Sequence, residues 1–413
     1  MTPRHIAIID TGKTNIRAIL ADLGQRTQID TRRMANRVRP GPPYPHLDVA
    51  AQEAFILRAL GAFAAQVRLD GVIVIAHGAT CALVGGDGLV LPVLDYEFAG
   101  PDALAAEYDA RRPPFGVTGS PRMAGGLNIG AQLHWLATRH GAEFARAEQI
   151  LLWPQFWTWV LCGRAVCEVS YASSHGDLWD LHRGGAPEGY IADLTRGKLP
   201  PTAHAAEIAG VLRPELARAH GLPAGLPIHV GAHDSSLALV PHAGKGVRDP
   251  AVVMSTGTWL TAFAIGVERI PQAGRPGVMA SLDLFGRLVP NVRFMAGQAR
   301  ADILAGSGLP VAEPAQVALH HDPGGGTFAL TDRASGARVR LRDRATLDHF
   351  LAAEAVRGMT AIGARGTIHL TGPFADNPDF VAALEKLWPF PVQPRSYEKS
   401  LAGQVAALFR ELG

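Results

Sequence analysis

Short runs of apolar residues alternate along the chain with longer segments whose apolar positions recur every three or four residues. Runs of the first kind predict strands, and segments of the second kind predict helices. The predicted strands cover residues 6–10, 16–22, 72–76, 228–231, 252–254, 260–265 and 368–370. The predicted helices cover residues 50–67, 130–140, 214–219, 299–305, 345–358, 379–388 and 401–412. This alternation predicts an α/β fold.

The length of the chain predicts two domains. With 413 residues, it is longer than a single hydrophobic core usually supports. The segment "GLPAGLP" at 221–227 is rich in glycine and proline, and strand and helix patterns begin again after it. We therefore predict one domain over residues 1–226 and a second over residues 227–413.

The segment "IIDTGKTNIR" at 8–17 contains Gly12-Lys13-Thr14, the three residues that end a phosphate-binding P-loop. A P-loop also needs glycine five positions before its second glycine, where this chain has Ala7. In addition, the triplet precedes a short run of eight residues and then another extended stretch, whereas a P-loop precedes a helix. The pattern therefore favours a β-hairpin that bends at residues 11–14.

The same plan occurs a second time in "AVVMSTGTWLTAFAIG" at 251–266, with an apolar strand, a Thr-Gly turn and another apolar strand. Two halves that each contain such a hairpin suggest two related domains. Each hairpin could present backbone amides and hydroxyls to one nucleotide. The first hairpin contains an acid, Asp10, and the second has none, which suggests that only the first acts on a metal.

Composition excludes several classes of function. Apolar residues make up 47% of the chain and charged residues 18%, and the net charge of +2 gives no support for nucleic-acid binding. Three cysteines without a CxxC pair are typical of a reducing compartment. The most apolar stretch, 150–162, is shorter than the ~20 residues of a membrane span and predicts a buried helix. We therefore expect a cytoplasmic protein without membrane contact.

Asp234 follows the predicted strand 228–231 and precedes a stretch, 235–242, that predicts a helix. One interpretation is an N-cap, in which the carboxylate accepts hydrogen bonds from free amides at the start of the helix. The other is a functional carboxylate at the end of a strand, where α/β proteins bind ligands. Both interpretations remain open at this point.

Five segments together resemble the FGGY carbohydrate kinases. They are "IIDTGKTNIRAIL", "AHGATCALVGGDGLVLPVLDYE", "GLPAGLPIHVGAHDSSLALVP", "VVMSTGTWLTAF" and "IHLTGPFADNPDFVAALEKLW", in the order that this family has. The family belongs to the actin and hexokinase superfamily. The resemblance implies two ribonuclease-H-like domains around a central cleft. It also implies transfer of the γ-phosphate of ATP to a sugar hydroxyl.

The resemblance assigns nucleotide and metal roles to particular residues. Asp10 and Asp234 would face Mg²⁺. The residues expected to bind ATP are Thr11, Gly12, Lys13, Thr14 and Asn15 in the first hairpin, Thr256, Gly257 and Thr258 in the second, Gly297 and Gln298 before a helix, and Gly372, Pro373, Phe374 and Asn377 beside the adenine. Lys13 and Asn15 depart from the family pattern, which more often has small hydroxyl residues there.

On the sugar side, Asp234 matches the general base of the family. His77, Gly78, Asp95 and His233 are the other expected substrate contacts, although an isolated histidine is as often a structural residue. The stretch 95–97 departs from the family pattern of tryptophan, aspartate and arginine. His233, the "STGTW" turn at 255–259 and "CEVSYASSHGDLWDL" at 167–181 resemble the rhamnulose kinases, which implies a ketose such as rhamnulose, fuculose or a pentulose.

The alternative is a protein of the same fold that is not a kinase, either a sugar sensor or a chaperone-like ATPase. A sensor has no need of a base, so the presence of Asp234 favours the kinase. Many members of the family are homodimers, and this is the only protein partner that the resemblance implies.

Overall fold

A computed structural model describes residues 3–86, 88–244, 249–274, 276–305, 309–322, 327–394 and 400–412. The chain forms two compact units. The first contains residues 1–246, 280–288 and 398–413, and the second contains residues 247–279 and 289–397. Among the described residues, no helix combines the length and the apolar character that crossing a membrane requires.

The elements of the first unit begin with a long hairpin. Its strands are β1 His5–Thr11, β2 Asn15–Asp22, β3 Thr27–Ala35, β4 Val38–Arg39, β5 His46–Leu47, β6 Gly71–Ala76, β7 Cys81–Gly85, β8 Gly88–Leu89, β9 Gln149–Leu152, β10 Ile208–Val211, β11 Pro227–His229 and β12 Ala232–His233. Its helices are α1 Val49–Ala64, α2 Ala105–Asp109, α3 Phe115–Thr118, α4 Ile129–Arg139, α5 Gly141–Arg146, α6 Trp153–Cys162, α7 Val169–Ala172, α8 Tyr190–Thr195, α9 Pro214–His220, α10 Asp234–Leu237 and α11 Val240–Ala243. A 3₁₀ helix covers Gly100–Leu104.

The main sheet of the first unit has the strand order β10-β11-β6-β1-β2-β3, and β12 also pairs with β6. β1 is antiparallel to β2 and parallel to β6, and β6 is parallel to β11 and β12. Buried side chains cover both faces of the central strands, which is why β1 and β6 are almost continuously apolar.

The second unit repeats this plan. Its elements are β13 Ala251–Thr256, β14 Leu260–Ile265, β15 Val278–Leu282, β16 Leu288–Phe294, α12 Ala296–Ala305, β17 Val317–Asp322, β18 Thr327–Asp332, β19 Arg338–Val339, α13 Arg344–Ala361, β20 Thr367–Thr371, α14 Pro378–Leu387 and β21 Val392–Pro394, with 3₁₀ helices at Pro314–Gln316 and Pro373–Asp376. The final helix, α15 Leu401–Leu412, returns to the first unit.

The main sheet of the second unit has the order β15-β16-β14-β13-β20-β21. β13 is antiparallel to β14 and parallel to β20, and β20 is parallel to β21. Each main sheet therefore has a central strand with an antiparallel hairpin on one side and parallel strands on the other. This arrangement confirms the predicted α/β fold with two ribonuclease-H-like units.

The strong periodic patterns predicted the elements well, and the 150–162 stretch shows where they did not. That stretch was predicted as one helix, but its first residues form β9 and the helix α6 begins only at Trp153. Pro154 explains the division, because proline lacks the backbone N–H that a helix interior uses and therefore fits only the first turn of a helix. Within α6, Trp153 and Trp157 are fully buried.

The units divide at a different place from the predicted boundary at 226/227. β11 and β12 lie after that boundary, yet both pair with β6 in the first sheet. Asp234 therefore belongs to the first unit and not to the second. The Gly-Pro segment at 221–227 is a connector between α9 and β11 within one unit. Sequence reasoning could not show which sheet the strand after it would join.

Candidate active site

The candidate site in the first unit lies where three parallel strands end. β1 ends at Thr11, β6 ends just before His77, and β12 ends just before Asp234. In the strand register Thr11 lies beside Ala76, and Ala76 lies beside His233. Thr11, His77 and Asp234, three of the predicted site residues, therefore lie at one edge of the sheet, where α/β proteins bind their ligands.

Asp10 is buried on β1 and forms an ion pair with Arg17, directly opposite on β2. Arg17 donates from Nε to Asp10 Oδ2 at 2.7 Å, and its Nη2 lies 2.5 Å from the same oxygen. Burial raises the pKa of Asp10, and Arg17 opposes that rise. The negative charge of Asp234 raises the pKa of Asp10 further. Asp234 is therefore close enough for its charge to act on Asp10.

Asp234 is the first residue of α10 and His233 is its N-cap, so the first of the two interpretations that the sequence left open for Asp234 does not hold. Its Oδ1 accepts hydrogen bonds from Ser235 N at 2.6 Å and Ser235 Oγ at 3.1 Å. No described residue donates a hydrogen bond to Oδ2. Surrounding protein atoms raise the pKa of Asp234 by desolvation, and His77 partly opposes this rise. The side chain still keeps 45% of its surface accessible.

His77 is a buried and well-positioned imidazole. Its Nδ1 lies 2.9 Å from Gly78 O, so Nδ1 carries the proton and donates to that carbonyl. Its Nε2 is buried and has no hydrogen-bond partner among the described residues. Burial lowers the pKa of His77, which keeps the ring neutral. Neutral His77 therefore has an Nε2 that can accept a hydrogen bond from a hydroxyl.

Tyr171 positions the turn that carries His77, a role that the sequence did not indicate. Its hydroxyl donates to His77 O at 2.8 Å and accepts from Thr80 N at 3.2 Å. Between these two residues, Ala79 has a positive φ of 58°, an unfavourable conformation for alanine. The fully buried Tyr171 hydroxyl stabilises that conformation from both sides.

Gly78 is required by the histidines packed around it. A Cβ at this position would lie 2.7 Å from His175 Cδ2 and 2.8 Å from His233 Nε2. The rings of His233 and His175 lie 5.6 Å apart, and His233 lies 5.3 Å from the ring of Tyr171. His233 Nε2 is 3.3 Å from Asp234 Oδ1. His233 thus contacts the candidate base, and its substrate role stays a prediction.

Lys13 has different partners from those that the sequence suggested. Its ammonium group forms ion pairs with Asp95 and Glu97, and it lies 4.5 Å from the centre of the Tyr96 ring. The two departures from the family pattern, Lys13 and the 95–97 stretch, therefore contact each other. Asp95 is buried and at the predicted sugar side, whereas Lys13 was predicted to bind phosphate.

The rest of the first hairpin divides into buried and accessible residues. Thr11 is fully buried and its hydroxyl lies 3.5 Å from Ile75 O, and its predicted phosphate role stays a prediction. Gly12 O accepts a hydrogen bond from Asn36 Nδ2 at 2.9 Å, a contact that the sequence did not predict. Thr14 and Asn15 are exposed, so they keep the accessibility that phosphate binding requires.

In the second unit, the hairpin turn packs closely against the start of α12. Gly297 N donates to Thr258 O at 3.2 Å, and a Cβ on Gly297 would lie only 2.0 Å from Gly257 O. Gln298 N also donates to Thr258 O, at 3.4 Å. The structure therefore brings together four of the residues that were predicted to bind nucleotide, and glycine at 297 makes this approach feasible.

Gly372 allows a second close approach in the same unit. It has a φ of 87°, and a Cβ there would lie 1.8 Å from Thr256 O. Thr256 is buried and donates its hydroxyl to Thr371 O at 2.6 Å while accepting from Phe374 N at 3.2 Å. The Thr256 side chain thus fixes the loop after β20 against the end of β13, and the phosphate role of Thr256 stays a prediction.

Two residues of the predicted adenine segment have contacts within their own unit, and their adenine roles stay predictions. Phe374 is buried and packs against Phe380 with ring centres 4.6 Å apart. Asn377 caps α14 through its side-chain oxygen, and its Nδ2 donates to Asp348 at 2.9 Å. Gly372 is half-buried and Pro373 exposed, and they remain the accessible part of the predicted adenine segment.

The paired ribonuclease-H-like sheets, with acidic and glycine-rich strand ends, define a protein of the actin and hexokinase fold class. Models of the "FGGY family of carbohydrate kinases, N-terminal domain" and the "Carbohydrate kinase FGGY, C-terminal domain" match residues 122–241 and 248–411. The chain belongs to the FGGY family of carbohydrate kinases. The first of these matches begins beyond the hairpin at 8–17, so the details of that hairpin rest on the structure.

Individual relatives agree with this assignment. The chain is 28% identical to an L-fuculokinase of Salmonella typhi over 62% of this chain and 55% of the relative. It is 26% identical to a xylulose kinase of Klebsiella pneumoniae over 62% of this chain and 53% of that relative. The alignments thus span little more than half of these two relatives. A carbohydrate kinase structure from Novosphingobium aromaticivorans is 28% identical, with a TM-score of 0.84 over 98% of this chain and 93% of that one.

Proposed function

We propose that this protein transfers the γ-phosphate of ATP to a hydroxyl of a small sugar. The observation that carries the proposal is Asp234, a carboxylate at the end of parallel strands with an accessible side chain and one oxygen without a hydrogen bond from the described residues. The names of the relatives, an L-fuculokinase and a xylulose kinase, support a ketose substrate such as fuculose, rhamnulose or a pentulose.

Asp234 would act as the general base that accepts the proton of the attacking hydroxyl. Ser235 holds Oδ1 and leaves Oδ2 for the sugar. Desolvation raises the pKa of Asp234, which makes the carboxylate a stronger base once it is ionised. Activity should therefore rise with pH as Asp234 loses its proton, at a pH above the usual pKa of aspartate, about 3.9. Such a base typically contributes about 10²- to 10⁴-fold to the rate.

The residues present fit the Mg²⁺ ion that this chemistry implies. Desolvation is the main cause that raises the pKa of both Asp10 and Asp234, and the charge of Asp234 raises the pKa of Asp10 further, so a divalent cation would stabilise both carboxylates. Arg17 contacts only Oδ2 of Asp10, which leaves Oδ1 as a ligand or as an acceptor for a metal-bound water. No group of three possible metal ligands occurs among the described residues, in keeping with an ion held largely by phosphate and water oxygens. When bound, the ion would neutralise charge on the phosphates.

Other residues of the two units would bind the remaining parts of the substrates. In the first unit, the exposed Thr14 and Asn15 and the backbone of Gly12 are proposed to contact phosphate. In the second unit, that role falls to Gly257, Thr258, Gly297 and Gln298, with Gly372 and Pro373 near the adenine. His77 would accept a hydrogen bond from a sugar hydroxyl at Nε2. Gly78, Asp95 and His233 complete the proposed sugar side.

The activity can be tested by measuring ADP release with a panel of ketoses, aldoses and polyols, including L-fuculose, L-rhamnulose, xylulose and ribulose. Asp234→Asn should lose nearly all sugar phosphorylation and still bind ATP. Asp193→Asn, which changes an exposed aspartate on α8, is a matched control and should retain full activity. Normal turnover in Asp234→Asn would overturn the role of the base. A wild-type protein that binds ATP and phosphorylates no sugar would favour the alternative of a sensor or a chaperone-like ATPase.

A further inference from the structure

Lys13 extends from the tip of the first hairpin to a different segment of the first unit. Its Nζ forms ion pairs with Asp95 and with Glu97, the latter at 3.1 Å, and it lies over the face of Tyr96. Only 19% of the Lys13 side chain and 9% of the Asp95 side chain are accessible. A charge pair this buried is strongly constrained, because Asp95 without Lys13 would be left poorly solvated and without a cation.

The backbone around Asp95 fixes its carboxylate. Asp95 N donates to Pro45 O at 3.0 Å, and Phe98 N donates to Asp95 O at 2.9 Å. Its Oδ1 accepts from both Lys13 and Glu97 N. No described residue donates a hydrogen bond to Oδ2, and this oxygen remains an acceptor. The Lys13 ammonium group has three donors, of which the two carboxylates use two.

This pair belongs to the same site as the other predicted sugar contacts. The ring of Tyr96, which Lys13 covers, lies 5.4 Å from the ring of His77. His77 is close enough to both Lys13 and Asp234 for their charges to act on its pKa in opposite directions. Lys13 is thus near the proposed base and the proposed sugar contact, although it originates in the hairpin.

We infer that Lys13 Nζ and Asp95 Oδ2 form a donor and acceptor pair that binds neighbouring hydroxyls of the sugar, so that Lys13 determines sugar specificity and does not hold the nucleotide. A hydroxyl both donates and accepts, and an ammonium beside a carboxylate therefore matches two adjacent hydroxyls. This inference rests on the proposed function and narrows its substrate class.

The chemistry of the pair also restricts the sugar. Lys13 and Asp95 are oppositely charged, and Glu97 adds a second carboxylate beside Lys13. Two adjacent hydroxyls, which together donate and accept, match this pair better than a single charged group does. A sugar with a vicinal diol is therefore the class that the pair fits.

The test separates sugar binding from nucleotide binding with Lys13→Met, which keeps the apolar stem and removes the charge. We expect the KM for the sugar to rise about 10- to 100-fold, the range for loss of one hydrogen bond to a charged group, with the KM for ATP within twofold of wild type. Lys198→Met changes a part-buried lysine that bonds to Ala147 O, and it should leave both constants unchanged. A rise in the KM for ATP with an unchanged KM for the sugar would overturn the inference.

A second variant distinguishes a loss of sugar binding from a loss of stability. Lys13→Met leaves Asp95 buried without its partner, so it could lose stability for reasons unrelated to the sugar. Combining it with Asp95→Asn removes both charges and should restore the melting temperature while the KM for the sugar stays high. Recovery of a wild-type KM for the sugar in the double variant would show a purely structural pair and would overturn the inference.

The proposed function and the inference fail in different ways. If the wild-type protein phosphorylates no sugar, the proposed function is overturned, and calorimetric binding of the same sugars without ATP then decides the role of Lys13. Weaker sugar binding by Lys13→Met would support the inference, and unchanged binding would overturn it. A wild-type protein that binds no sugar at all would overturn both.

Discussion

Glu168 should make the free energy of unfolding of the first unit depend strongly on pH. This residue is fully enclosed next to α7, where it accepts hydrogen bonds from Ser170 N at 2.8 Å, Ser170 Oγ at 2.7 Å and Tyr171 N at 3.0 Å. These bonds favour the carboxylate, but burial outweighs them and raises the pKa of Glu168 to about 7. Asp283 raises it further through its negative charge.

Whether the free energy of unfolding rises or falls with pH follows from comparing the protonation of Glu168 in the folded and the unfolded chain. Below the unfolded pKa of glutamate, about 4.3, Glu168 is protonated in both states and has no effect on the pH dependence. Between that value and about 7 only the folded state holds the proton, so the free energy of unfolding decreases as the pH rises. At about 1.4 kcal/mol for each pH unit, the loss between pH 5 and pH 8 amounts to roughly 2 to 3 kcal/mol.

The assay is denaturant unfolding of the wild-type protein and Glu168→Gln at several pH values between 5 and 8. Tryptophan emission reports mainly on the first unit, which contains five of the seven tryptophans, Trp135, Trp153, Trp157, Trp159 and Trp179. Glutamine retains an acceptor for the amides of α7 and does not titrate, so the variant should gain stability relative to wild type as the pH rises. Glu215→Gln, an exposed change on α9, is the control and should follow wild type. Parallel curves for wild type and Glu168→Gln would refute the reasoning.

Two further changes test the positions of the site residues. Gly297→Ala would place a Cβ 2.0 Å from Gly257 O, so we expect a raised KM for ATP and a lower melting temperature. The control is Gly116→Ala, which has open space at its Cβ and should change neither quantity. An unaltered KM for ATP in Gly297→Ala would count against a nucleotide role for this turn. Tyr171→Phe removes the hydroxyl that bonds to His77 O and Thr80 N, and leaving those buried groups unpaired costs about 1 to 3 kcal/mol. We expect a raised KM for the sugar with an unchanged KM for ATP, and equal changes in both constants would contradict a specific effect on His77.

The sequence predicted features that depend on neighbouring residues and missed those that depend on register. The apolar runs with Thr-Gly turns correctly indicated both hairpins, because side-chain alternation and turn chemistry are local. The ion pair of Asp10 with Arg17 was missed, because it requires the number of residues in the turn and hence the pairing across the hairpin. With the turn known, Arg17 would have been found directly opposite Asp10.

Burial distinguishes several candidate site residues from the accessible ones. Thr11, Thr256 and Phe374 lie in segments that resemble a nucleotide site, yet their side chains point to partners inside their own units. Neighbours in sequence can lie on opposite faces of a strand end, and a family pattern does not show which face is accessible. Lys13 is the clearest case, since its partners lie more than eighty residues away along the chain.

The two hairpins share their strand order but differ in charge at equivalent positions. Thr11 pairs with Ile16 at the end of the first hairpin as Thr256 pairs with Leu260 in the second, so Ser255 and Thr261 correspond to Asp10 and Arg17. A charged pair in one unit is thus replaced by two hydroxyl residues in the other. A cation would be attracted only to the first hairpin, where a second carboxylate, Asp234, adds to the negative charge. The second hairpin provides neutral donors and a closely packed backbone, which suits phosphate binding without a metal ligand.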